Sequence, residues 1–183
     1  MYFLHTPKLV LTGSSPSLRE TADRAAALGA EVVVVDPASV AAVGTSTVGA
    51  PPADAASAEA ASADAPLAEA LLAVADLDGF DVAVVGIAPT GSAGDDLPAA
   101  AALLGPGLRH GALVIVSSAS SVELDGRRLA HDLAERSGLE PGVQFDVVGV
   151  EGVDVRWSTG DEGEQITRFL VAQLGVGAPV QRG

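Results

Sequence analysis

The chain contains no cysteine. Disulfides, thiolate metal sites and a cysteine nucleophile are thereby excluded together. Aromatic residues are scarce, at 3% of the chain, and basic residues number 10 against 24 acids, a formal charge of −14. Such a balance disfavours nucleic acid and anionic membrane as partners, since neither finds a basic stripe to meet it. Its simplest use is solubility. Long apolar runs are missing too, and none approaches the ~20 residues that a membrane span needs. The opening "MYFLHTPK" has neither the charged nor the apolar region of a secretory signal, so a soluble cytoplasmic protein is expected. Histidine is limited to His5, His110 and His131, with no i, i+4 pair, so no metal site is expected and each should be solvated.

What is present is Ala, Val and Leu, the bulk of a 48% apolar fraction in 183 residues, enough for one domain with a substantial core. "KLVLTG" (8–13), "EVVVVD" (31–36), "DVAVVGI" (81–87), "ALVIVSS" (112–118) and "FDVVGV" (145–150) read as strands, with "VDVRW" (153–157) as a sixth. Their hydrophobicity is nearly continuous, the pattern of parallel strands buried on both faces. Helices are expected over 17–28 (Leu18, Ala22, Ala25 inward), 123–137 (Leu129, Ala130, Leu133, Ala134) and 162–174 (Ile166, Phe169, Leu170, Leu174). Another begins at Pro66. The low-complexity Ala/Ser/Pro run at about 44–65 is expected to be a mobile loop. Alternating strands and helices predict a single three-layer, doubly wound (Rossmann-like) α/β domain with a mostly parallel sheet of five to six strands over 1–183.

The first βαβ unit has the outline of a dinucleotide site, but its turn is Gly13-Ser14-Ser15-Pro16-Ser17-Leu18. A dinucleotide turn wants glycine at the first, third and sixth positions, for the bend, for approach to the pyrophosphate and for helix packing. Gly13 meets the first need. Ser15 and Leu18 stand at the other two, and Pro16 removes an amide. The serines could bond an anion; equally, Ser15 could cap the helix with Pro16 at its first position. Asp36, closing the second strand, sits where a ribose hydroxyl would be bonded, or caps a helix of its own.

With these elements placed, the chain resembles the NAD-binding domain of the UDP-glucose and UDP-N-acetylmannosamine dehydrogenases. The segment "LRHGALVIVSSASSVELDGRRLAHDLAERSGLEPGVQFDVVGVEGV" (108–153) is similar to that family's strand, hydroxyl-rich loop, helix and "SGL-x-x-G-x-x-F" passage. "DVAVVGIAPTG" (81–91) with Asp95, Asp96 and Leu97 is similar to its Val-Pro-Thr-Pro loop and following Asp-Leu, and "VRWSTGDEGEQITRFLVAQLG" (155–175) to the end of its NAD domain. The resemblance implies that Gly13, Ser14, Ser15, Asp36, Pro89 and Thr90 would contact NAD if binding is retained. The departures are as telling. The family's Ser-Thr-x-Pro-Pro-Gly loop is here Ser117-Ser118-Ala119-Ser120-Ser121-Val122, and its glutamate falls at Gly152, or at Glu151 with one residue dropped. The family's catalytic cysteine and lysine belong to a further half that this sequence does not include; Lys8 is the single lysine.

No Gly-x-Ser-x-Gly elbow surrounds Ser118, so a serine hydrolase is not expected. Carboxylates after strands are the better candidates: Asp36, Asp95, Asp96 and Glu151, any of which could serve as acid or base if buried. The catalytic candidates are Glu151, Asp95, Asp96 and Ser118. Three readings follow. One is a repurposed domain that binds a small molecule in the former cofactor crevice, with no cofactor and a non-redox step (cyclisation, isomerisation or elimination) in biosynthesis. Another is a regulatory module holding NAD or a nucleotide sugar. The last is a redox subunit completed by a partner chain. A homodimer or a biosynthetic partner protein also remains open.

Overall fold

The computed structural model describes residues 6–35, 77, 79–87, 93–118 and 122–176, with the side chains of 93–95 outside that description. The run at 44–65, the helix expected from Pro66, and Asp36, Pro89 and Thr90 all lie outside the described residues.

Among the described residues, six strands form one sheet in the order β2-β1-β3-β4-β5-β6. They are β1 (Lys8–Gly13), β2 (Glu31–Val35), β3 (Val82–Gly86), β4 (Leu113–Ser117), β5 (Asp146–Glu151) and β6 (Asp154–Ser158). The first five are mutually parallel and β6 returns antiparallel to β5. Continuous hydrophobicity has the predicted cause: every residue of β3 and β4 is buried. Among the described residues, four α-helices cover the faces: α1 (Ser17–Ala27), α2 (Ala93–Leu104), α3 (Val122–Ser137) and α4 (Asp161–Leu174).

Strand alternation divides the core in two. Val10, Ala83, Val85, Val114, Val116 and Val147 face Leu97, Ala101 and Leu104 of α2 and Leu129 and Leu133 of α3. Leu11, Val84, Ile115 and Val148 face Leu18 and Ala25 of α1 and Val171 and Leu174 of α4. Each buried Leu or Val on these faces contributes roughly 1.5–3 kcal/mol of transfer free energy. This is the predicted three-layer α/β Rossmann-like architecture.

Two elements depart from the sequence-based expectation. Helix α2 was not anticipated, because Pro98 lies inside it and reads as a breaker. On α4, Phe169 was expected in the core and is 64% exposed. The inward stripe is Gly163, Thr167, Val171 and Leu174, a small-residue stripe that lets the helix lie close.

The topology fixes where a ligand can sit. After β1 the chain winds through α1 on one face, and after β3 through α2 on the other. The connections therefore diverge between β1 and β3 and leave a crevice at their carboxyl ends, the usual ligand position in open α/β sheets. The amino ends are tied instead. Asp81 accepts the Lys8 N–H at 2.8 Å and pairs with the Arg109 guanidinium.

Candidate functional site

The crevice begins where β1 and β3 end side by side, with Gly13 in register with Gly86 and Gly86 with Ser117. Gly13 has φ 119°, a conformation that side chains rarely adopt. A Cβ there would collide with the Gly86 carbonyl, so glycine is required by both backbone and space.

That carbonyl organises the turn. The N–H groups of Ser14 and Ser15 both donate to it, at 2.9 and 3.1 Å. Pro16 has no N–H to give, and the Leu18 N–H returns to the Ser15 carbonyl at 3.3 Å. Ser17 is then the one position from 14 to 18 whose amide could face a ligand. The amides of Ser14 and Ser15, which precede the helix, are turned into the protein's own backbone.

The side chains of the turn are engaged as well. Ser14 Oγ donates to Asp96 Oδ2 at 2.8 Å, and Ser15 Oγ lies 2.9 Å from Ser17 Oγ. Ser15 thus does not cap α1 through its hydroxyl. Pro16 is the helix-flanking residue, already at φ −66°, ψ −18°, with no side-chain cap. Beneath the turn, on the α2 side of β1, the Thr12 hydroxyl is fully buried and has no partner among the described residues. Asp95 lies on α2 beside Asp96, with its side chain outside the description.

Leu18, at the position where a dinucleotide turn wants its third glycine, is accommodated. It packs over Gly86, where a Cβ would lie 2.9 Å from Leu18 Cγ. The glycine needed for close approach has moved from the helix to the strand beneath it.

The next part of the edge holds a pair that sequence reasoning missed in part. Ser118, just past β4, was singled out; its partner Asp125 was not. Ser118 Oγ donates to Asp125 Oδ2 at 3.4 Å, and the residues are 6% and 8% exposed. Burial raises the Asp125 pKa above the ordinary carboxylate range, against the opposing effects of the Ser118 hydrogen bond and the Arg128 charge. The overlooked signal was periodicity, because Asp125 belongs to the inward stripe Val122, Asp125, Gly126, Leu129, Ala130 and Leu133. A carboxyl group on a buried stripe carries a desolvation cost.

Glu151 ends β5 and differs from the buried acid or base expected. Its side chain is 47% exposed and bonds Arg156 Nε at 3.0 Å. The tight turn into β6 explains this, since Gly152 takes φ 62° and brings Arg156 back alongside. Glu151 and Arg156 join Val122, Leu124 and Arg127 around a shallow, open depression of about 540 Å³. Nearby, on the edge strand β6, Trp157 packs on Gly126 with the Arg127 guanidinium 5.4 Å from its ring centroid. His131 and His110 are exposed, as expected, and His5 lies outside the described residues. Among the described residues no cluster of His, Asp and Glu could hold a metal ion, and no helix is long and apolar enough to cross a membrane.

No family model matches the chain, and no curated protein matches it. Solved structures do. A UDP-D-ManNAc dehydrogenase from Pyrococcus horikoshii superposes with a TM-score of 0.59 at 19% identity, over 91% of this chain and 44% of its own. A UDP-glucose dehydrogenase from Pyrobaculum islandicum gives 0.51 at 22% identity, over 96% of this chain and 45% of its own. The chain thus spans less than half the length of either. The shared feature is the fold, and it is the fold that the sequence resemblance implied.

Proposed function

We propose that this Rossmann-like domain receives a small molecule in the crevice where related folds hold a dinucleotide, and that any chemistry there moves protons rather than hydride. The observation that carries the reading is the double donation of the Ser14 and Ser15 N–H groups to the Gly86 carbonyl. With those two donors committed and no N–H on Pro16, the turn offers a pyrophosphate fewer amides than a glycine-rich turn does.

The groups available for chemistry are hydroxyls and carboxyls. Asp125, with its pKa raised by burial, can hold a proton at a higher pH than an ordinary aspartate and pass it through the Ser118 hydroxyl. Asp96, which accepts a hydrogen bond from Ser14 after β1, is a second carboxyl. Such a pairing suits cyclisation, isomerisation or elimination, steps in which one position loses a proton and another gains one, as in a biosynthetic pathway.

A second reading is a regulatory module that binds NAD or a nucleotide sugar without chemistry. Gly13 favours it, because the left-handed turn and the close β1–β3 approach are retained. A thermal-shift panel separates the two. NAD, NADH, NADP and UDP-sugars at 100 times their dissociation constants would each add ~2.7 kcal/mol and raise the melting temperature by several degrees. The proposed function predicts no rise with any of them.

A further inference from the structure

We draw no further inference here: the strongest candidate, the cavity of about 310 Å³ at the amino ends of β4 and β5 that Asp146, Asp161 and Glu162 line beside the first turn of α4, rests on a helix N-terminus and an acidic cluster, with no second feature of the described residues that points to a ligand.

Discussion

Leu18 of α1 lies in the space that Gly86 of β3 leaves open. A Cβ on Gly86 would stand 2.9 Å from Leu18 Cγ, 3.0 Å from Leu18 Cδ2 and 2.7 Å from Ser15 Cβ. Helix and sheet approach closely only because one partner of the contact has no side chain. Gly86→Ala should therefore cost about 1–3 kcal/mol by overpacking, read as a lower midpoint in urea unfolding. Leu18→Ala in the same background should recover part of that loss. Strict additivity of the two substitutions would show that the contact does not couple them.

Asp125 predicts a pH effect of definite sign. Its pKa is higher folded than unfolded because burial disfavours the charge. Between the ordinary value of about 3.9 and the raised folded value, the native state binds more protons than the unfolded chain. Stability then falls as pH rises through that window and stays lower above it. Asp125→Asn should remove this slope and leave the protein more stable at neutral pH. Ser118→Ala removes a bond that favours the charged form, so it should raise the Asp125 pKa further and extend the slope to higher pH. Urea unfolding across pH 3–8 checks both (a range set around that ~3.9 reference), and an unchanged slope in Asp125→Asn would refute the assignment.

Trp157 is the only tryptophan, which makes its contact with α3 directly visible. A Cβ on Gly126 would come within 2.7 and 2.8 Å of two indole ring carbons. Gly126→Ala should displace the ring, shift the emission maximum of the folded protein and cost roughly 1–3 kcal/mol. Arg127→Ala removes the cation over the ring and should cost only about 0.5–1 kcal/mol, the exposed-site range for that contact. Emission identical in the Gly126 variant would contradict the packing.

The Asp146 carboxylate sits at the amino end of α4, where its charge meets the positive end of the helix dipole. The N-cap of α4 is Gly160, which has no side chain to cap with, and the Asp146 carboxylate lies against Gly163 in the first turn, with Thr159 Oγ1 donating to it at 3.1 Å. Asp146→Ala should cost about 1 kcal/mol, and Asp146→Asn less, as measured by thermal unfolding.

How much of this was legible beforehand differs from residue to residue. The strands could be read because runs such as Val82–Gly86 and Leu113–Ser117 are buried on both faces and so need no polar alternation. Helix α2 could not, since Pro98 masks a run whose burial against the sheet decides its structure. Phe169 misled because hydrophobicity alone assigned it inward, whereas close packing of α4 selected Gly163 and Thr167 for that face. At the crevice, the turn's departure from a glycine pattern was visible in Ser15 and Leu18. Its remedy was not, because Gly86 lies far along the chain and only the register of β1 with β3 brings it beneath them. Glu151 looked catalytic from its place after a strand, while the decisive fact, its exposed pairing with Arg156, depends on a hairpin.

Isothermal titration of NAD into the full chain tests the central claim most directly. With the Ser14 and Ser15 amides committed to Gly86, the account predicts no saturable heat up to a ligand concentration of about 1 mM, a limit corresponding to roughly −4.1 kcal/mol of binding free energy. A saturable isotherm with micromolar affinity, abolished by Asp36→Ala, would show that the serine turn still holds a dinucleotide and would contradict it.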